Sequence, residues 1–335
     1  MPEVSAAGFK GIWAMTMTVL VTGGSGFIGS HLVEALLLRG AMVRVLDNLT
    51  TGHRANLAGA LAHPDGRGTV TFIEGDIADR KTVQDAVTGV EYVLHQAALP
   101  SVQRSVEDPV TSNVVNVEGT LNVLLAARDA GVRRVVYASS SSVYGDSPQL
   151  PKIESMPTNP LSPYAVSKLA GEAYCRAFTR VYGVETVSLR YFNVFGPRQD
   201  PNSLYAAVLP RFIEALLGKK PPVIYGDGLQ SRDFTHIDNV VQANLLALEA
   251  VGVGGETFNI ACGERITLKA IIECLGEFSC QVVEPEYQAP RAGDIKHSLA
   301  DTSKAEQMLG YRPAIPFREG LKRTFEFFRQ RRASQ

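Results

Sequence analysis

The segment Thr22-Gly23-Gly24-Ser25-Gly26-Phe27-Ile28-Gly29 follows directly on the apolar run Met17 to Val21 and leads into the helical pattern Ser30 to Arg39. Strand, glycine turn and helix in that order leave few folds open. Gly23, Gly26 and Gly29 stand three residues apart, and three missing side chains allow a tight turn, a close backbone approach to a pyrophosphate, and close packing of helix on sheet. The first turn of the helix then points its unpaired N–H groups at the phosphates. A second buried strand, Ala41 to Leu46, ends in Asp47, close to where an acidic residue takes an adenosine ribose diol. The arrangement predicts a bound dinucleotide, with NAD favoured over NADP; Arg44 and Arg54 leave room for the latter.

The rest of the chain repeats the pattern. Apolar strands at Val70 to Glu74, Tyr92 to His95, Val135 to Ala138 and Thr186 to Arg190 alternate with helical spacing at Lys81 to Thr88, Thr111 to Ala130 and Tyr164 to Tyr182. This βα rhythm predicts an α/β fold of Rossmann type, a doubly wound parallel sheet with helices on both faces. Val114, Val117, Leu121, Leu124 and Leu125 form one stripe; Ala165, Leu169, Ala173 and Ala177 give the later helix a small-residue face. Either could cover the sheet or meet a partner subunit.

After Arg190 the texture changes, as Pro197, Pro201, Pro210, Pro221 and Pro222 interrupt short elements. A smaller, discontinuous α/β domain is expected over about 193–230 and 263–330. The dinucleotide domain would take 15–192 and about 231–262, where Phe234 to Val251 reads as strand, turn and helix, and Thr257 to Ile260 as another strand. Residues 1–16 lack periodicity and read as a disordered or vector-derived head, with Met15 and Met17 as alternative starts. His63 to Gly68 and Glu284 to Gly293 are turn-rich.

With 335 residues the chain can bury a full α/β core. Its net charge of −1 gives no electrostatic footprint for nucleic acid. The four cysteines, Cys175, Cys262, Cys274 and Cys280, form no C-x-x-C pair and have no histidines at ligand spacing, so no metal site is expected and a reduced, cytoplasmic protein is. No apolar run approaches the ~20 residues that span a bilayer, so no membrane partner is expected.

Chemistry enters at Tyr164-Ala165-Val166-Ser167-Lys168. Spacing of i, i+4 puts phenol and ammonium on one helix face, and a nearby ammonium favours the phenolate of a group whose free pKa is about 10. Upstream, Ser139-Ser140-Ser141-Ser142 closes the strand Val135 to Ala138, at the sheet edge where open parallel sheets place ligands. A hydroxyl there can hold a sugar hydroxyl.

With these motifs stand Asp47-Asn48-Leu49, Gly75-Asp76-Ile77, His95-Gln96-Ala97-Ala98, Arg190-Tyr191-Phe192-Asn193, Gly226-Asp227-Gly228 and Ser231-Arg232-Asp233-Phe234. From Met17 to Arg323 the chain resembles the extended short-chain dehydrogenase/reductases, in their nucleotide-sugar 4-epimerase branch. That resemblance implies a tightly held NAD contacted by Gly23, Gly26, Phe27, Ile28, Asp47 and Asn48. Asp76 and Ile77 would flank the adenine, Ala97 would line the cofactor, and Asn116 would help position the nicotinamide side. Tyr164, Lys168 and Ser140 would be catalytic, Lys168 also binding the nicotinamide ribose. For a UDP-sugar it implies Ser140, Ser142, Asn193, Ala207, Val208 and Tyr225, Arg232 and Arg291 at the phosphates, and Asp294 at the uridine ribose. It also implies a homodimer through the two long helices.

Within the resemblance, a small residue at Ser298 would leave room for an N-acetyl group at the sugar's C2, favouring UDP-N-acetylglucosamine and UDP-N-acetylgalactosamine. The run Pro100 to Ser105 points the same way. Plain UDP-glucose and UDP-galactose remain open, as does UDP-glucuronate, whose epimerases typically carry threonine where Asn193 stands. Dehydratases and decarboxylases of this fold carry an acid in the serine run, and this chain has only serines there. A non-catalytic dinucleotide sensor would be expected to have lost Tyr164 or Lys168.

Overall fold

The structure, a computed structural model, describes residues 17–61, 68–201, 208–290 and 296–333. The proposed head and most of the His63 to Gly68 turn lie outside these. Seven parallel strands form one sheet: β1 (Thr18–Thr22), β2 (Met42–Asp47), β3 (Thr69–Glu74), β4 (Tyr92–His95), β5 (Arg134–Ser140), β6 (Glu185–Tyr191) and a last strand, Glu256–Ile260. Their spatial order is β3, β2, β1, β4, β5, β6 and then Glu256–Ile260. The chain reverses its direction of growth between β1 and β4, and such a reversal opens a crevice beyond the strands' C-terminal ends.

The strands are buried because helices cover both faces. Val19, Leu20 and Val21 of β1 and Val93 and Leu94 of β4 have no exposed surface, which is why these strands read as unbroken apolar runs rather than alternating ones. On one face the helices Phe27–Leu38 and Ile237–Glu249 pack through Leu32, Leu36, Val240 and Ala243. On the other, Val83, Val123, Leu124, Ala127 and Phe178 join Leu20, Val93 and Val135.

Elements stand where the periodicity placed them, within a few residues. The first helix begins at Phe27, three residues before the apolar pattern suggested, because Gly26 already occupies its N-cap position. The long pattern Thr111 to Ala130 is not one regular helix. It runs as Pro109–Asn113, a π-helical turn Val114–Glu118, and Gly119–Asp129. Of its expected stripe only Leu124 is buried; Val114, Val117, Leu121 and Leu125 are half-buried, while Asn116, Thr120, Val123 and Ala127 are buried. In Pro163–Tyr182, Ala165 is buried and Ala173 and Ala177 are exposed.

A second apolar cluster gathers Phe195, Phe212, Ile213, Phe234, Ile271, Leu275, Phe317 and Phe328. It interleaves with the first, since Ala305, Leu309 and Tyr311 return to the sheet-facing core. The turn-rich stretch at Glu284 holds a short strand, Glu286–Gln288, parallel to Val223–Tyr225.

Candidate active site

A cavity of about 780 Å³ runs along the C-terminal ends of the strands, from the glycine turn to the serine run and on to Arg232 and Ser298. That is within the ~300–1,000 Å³ usual for ligand pockets.

At its first end, Gly23 takes a φ of 68°, and its N–H donates to the Leu46 carbonyl at 2.8 Å. A side chain on Gly29 would start 2.1 Å from the Gly23 carbonyl oxygen, so helix and turn touch there. Gly26 differs: a Cβ would meet nothing closer than that same oxygen at 3.2 Å, and the residue faces the cavity. Asp47 is buried at the cavity wall, with one carboxylate oxygen accepting from the Ser25 N–H and the other from the Leu49 N–H, each at 2.8 Å. A carboxylate offers about four acceptor sites, so capacity for a ribose diol remains. The Asn48 side-chain amide donates to Asp76 at 2.8 Å, closing this end. Neither candidate for a 2′-phosphate faces it: Arg44 donates to the carbonyls of Ala86 and Thr88, while Arg54 pairs with Glu74 and stacks on Phe72. Phe27, Ile28, Ile77 and Ala97 also line the cavity.

The middle is built on β5 and the helix Pro163–Tyr182. Pro163 at its first position and Ser162, whose hydroxyl accepts from the Ala165 N–H at 3.1 Å, fix where this helix starts. The Tyr164 N–H donates to the Ser105 hydroxyl at 3.0 Å, a tether sequence reasoning missed because it joins segments 59 residues apart. Burial raises the Tyr164 phenol above its ordinary value, and a hydrogen bond with Ser140 draws it back. Lys168, one turn on, donates from Nζ to the Ala138 carbonyl at 2.8 Å and lies 5.9 Å from the Tyr164 ring centre. Burial brings its ammonium down to about 8. A further turn on, Glu172 accepts from the Ser139 hydroxyl at 2.5 Å and from Arg190 through both oxygens, at 2.8 and 2.7 Å. Both partners of that ion pair are buried, and they hold the backbone from which Ser140 projects.

Asn116 does not line the cavity. Its carboxamide accepts from the Leu99 N–H at 2.8 Å and donates to the Leu99 carbonyl and the Ser167 hydroxyl. It clamps the cavity-lining loop after Ala97 to the helix Pro163–Tyr182. His95, fully desolvated and held down to about 3, stays neutral. Its Nε2 meets the Thr120 hydroxyl at 3.0 Å, and that hydroxyl donates to the Asn116 carbonyl at 2.6 Å. Thr120 therefore accepts, Nε2 carries the proton, and Nδ1 accepts from the Thr22 hydroxyl at 2.7 Å. Thr22 in turn accepts from the Ala97 N–H. The motif His95 to Ala98 contains the imidazole, but the strut needs its distant partners.

At the far end, Asn193 donates from its side chain to the Asp233 carbonyl at 2.9 Å and to the Ser298 hydroxyl at 3.3 Å. Arg232 lines the wall beside them, its guanidinium held by the carbonyls of Ser231 and Lys296. Ser142 presents a buried hydroxyl oxygen with no hydrogen-bond partner among the described residues. Val208, which opens the helix Val208–Leu217, and Tyr225, which ends the strand Val223–Tyr225, are not among the residues lining the cavity. Ala207, Arg291 and Asp294 lie outside the described residues.

Known proteins share this frame. The chain is 40% identical to UDP-glucose 4-epimerase of Mycolicibacterium smegmatis over 322 residues, spanning 94% of this chain and 99% of that one. A solved UDP-N-acetylglucosamine 4-epimerase from Methanobrevibacter ruminantium M1, in complex with UDP-N-acetylmuramic acid, superimposes with a TM-score of 0.88 at 40% identity, covering 95% of this chain and 100% of the other. UDP-glucuronic acid 4-epimerase from Bacillus cereus, solved with UDP-glucuronic acid and NAD, does so at 0.86 and 33%, covering 94% and 99%. Residues 19–261, most of the sheet and the whole helix Pro163–Tyr182, match the family described as NAD dependent epimerase/dehydratase. With the glycine turn, the Asp47 carboxylate and the Tyr164–Lys168 pair standing where a nicotinamide dinucleotide would use them, the chain belongs to that NAD dependent epimerase/dehydratase family.

Proposed function

We propose that the protein epimerises a UDP-hexose at C4 through a transient 4-keto sugar, with UDP-N-acetylglucosamine and UDP-N-acetylgalactosamine as its preferred pair. The observation that carries the reading is the convergence of Tyr164, Lys168 and Ser140 on one wall whose serine run contains no carboxyl group. Eliminating water from the sugar, or decarboxylating it, calls for an additional acid or base.

The residues fit NAD: Gly26 on the cavity wall, the helix N-terminus behind it and the Asp47 carboxylate suit a pyrophosphate and a ribose. Gly23, Gly26, Asp47, Asn48, Asp76 and Lys168 would hold it. When bound it supplies a reversible hydride acceptor. Tyr164, as phenolate, takes the proton of the sugar's 4-hydroxyl, and Ser140 donates a hydrogen bond to the C4 oxygen. Lys168 opposes protonation of the phenolate. After the sugar has presented its other face, the Tyr164 phenol returns the proton. Anchoring by the diphosphate, with Arg232 as one cation, keeps binding energy remote from the carbon that must turn over.

Ser298 supports the acetylated pair, because its small side chain lies against Asn193 on the cavity wall. Separate incubations with UDP-N-acetylglucosamine, UDP-glucose and UDP-glucuronate, without added cofactor, followed by NMR of the C4 epimers, test the reading. Acetylated product is expected, Tyr164→Phe should abolish it while NAD stays bound, and Ser298→Tyr should suppress it more than the glucose reaction. Product from glucose or glucuronate alone would overturn the substrate; an active Tyr164→Phe would overturn the base.

We also infer a cytoplasmic homodimer formed through the two long helical segments. Val166, Tyr174 and Val181, all exposed on Pro163–Tyr182, and the half-buried Val114, Val117 and Leu121 support it. Among the described residues no helix is long and apolar enough to cross a membrane.

A further inference from the structure

Lys152 has no place in the reading so far, yet it lines the same cavity and is only 4% exposed. Its backbone is stitched to the segment that carries Ser298: the Lys152 N–H donates to the Leu299 carbonyl at 2.8 Å, and the Asp301 N–H donates to the Lys152 carbonyl at 2.9 Å. The Asn259 side chain donates to that same carbonyl, so the position is fixed. On the side chain, Nζ donates to the Ser147 carbonyl and to no carboxylate among the described residues. An ammonium has three donors, so among the described residues two are left for a ligand in the cavity. The buried Ser142 hydroxyl, also on the cavity wall, lacks a partner among the described residues as well. Donors left idle in a buried wall cost free energy unless a ligand takes them up.

We propose that Lys152 is a specificity-determining residue whose ammonium donates to the carbonyl oxygen of the sugar's C2 acetamido group. The assignment rests on the epimerase reading above and names the group that Ser298 makes room for. Two observations favour a neutral carbonyl over a carboxylate. Lys152 and Ser298 sit on paired segments that line the same cavity, so the lysine and the small serine share one wall. Asp146 already acts on the ammonium from outside, opposing the fall in its pKa that burial causes.

The test compares kcat/KM of wild type, Lys152→Met and Lys152→Arg on UDP-N-acetylglucosamine, UDP-glucose and UDP-glucuronate, with UDP affinity measured alongside. Lys152→Met should lower kcat/KM for the acetylated sugar about tenfold more than for UDP-glucose, chiefly through KM, a difference of about 1.4 kcal/mol. Lys152→Arg, which keeps a donor, should recover most of the preference. Equal losses on both sugars, with or without a fall in UDP affinity, would make Lys152 structural and overturn the assignment. A loss largest for glucuronate would overturn it in favour of a carboxylate subsite. Failure of the epimerase reading shows separately, as wild-type protein that leaves all three sugars unchanged.

Discussion

Replacing Lys168 by methionine should make the nucleotide-free protein more stable while crippling its chemistry. Burial takes the ammonium from 10.5 to about 8, which charges the protonated form a desolvation cost of about 3 kcal/mol. Losing the bond to the Ala138 carbonyl gives back about 1 kcal/mol, leaving a net gain of about 2 kcal/mol at pH 7. The pH dependence identifies the cause. An unfolded amine keeps its proton up to 10.5, the folded one only to about 8, so folding releases a proton between those values. Wild-type stability therefore rises with pH through that window and is flat below it, and the advantage of Lys168→Met should vanish within the window and reverse to a deficit of about 1 kcal/mol, the lost bond, by pH 10.5. Urea unfolding of nucleotide-free wild type and variant from pH 7 to 10.5 measures this, with turnover at pH 7 expected to fall by at least ~10²-fold. A variant less stable than wild type at pH 7, or an advantage that ignores pH, would refute the argument that burial of the charge is what the site pays to hold its lysine.

Other substitutions separate roles that sequence merges. Ser140→Ala removes the hydrogen bond that lowers the Tyr164 phenol in the ligand-free protein, so the alkaline rise of kcat/KM should move to higher pH; a rise that stays in place would show that Ser140 does not touch the phenol's ionisation. Gly29→Ala forces a Cβ to 2.1 Å from the Gly23 oxygen and should cost about 1–3 kcal/mol without any nucleotide present, whereas Gly26→Ala should barely change the melting temperature and weaken NAD binding in calorimetry. Glu172→Gln leaves the buried Arg190 charge uncompensated and should destabilise by about 3–5 kcal/mol in urea unfolding; a loss below about 1 kcal/mol would mean the pair is not what fixes Ser139.

The sheet and both halves of the nucleotide frame were legible because their signals are local. Unbroken apolar runs at β1 and β4, three glycines three residues apart, and a tyrosine four residues ahead of a lysine each lie within one element. The unread parts depend on distance. Nothing near Glu172 says that it faces Arg190, because the pairing exists only once the helix Pro163–Tyr182 lies on β6. Ser105 lies in a six-residue helix, Val102–Glu107, and only the fold brings its hydroxyl to the Tyr164 amide. Lys152 sits between proline and isoleucine in a stretch without periodicity, and its neighbours Leu299 and Asp301 come from almost 150 residues further on. Asn116 was assigned to the nicotinamide side by resemblance, but its direct partners are Leu99 and Ser167.

The π-helical turn at Val114–Glu118 holds Asn116 and has a bearing on how the chain can change over generations. A wide turn of this sort contains one residue more than an α-helical turn needs, and each residue added or removed rotates the neighbouring helical segments against each other by about 100°. Deleting a single codon within Val114–Glu118 would restore continuous α-helical pairing, a local gain, and would swing the Asn116 carboxamide away from Leu99. Such a deletion would trade the Asn116 clamp on the cavity-lining loop for a more regular helix.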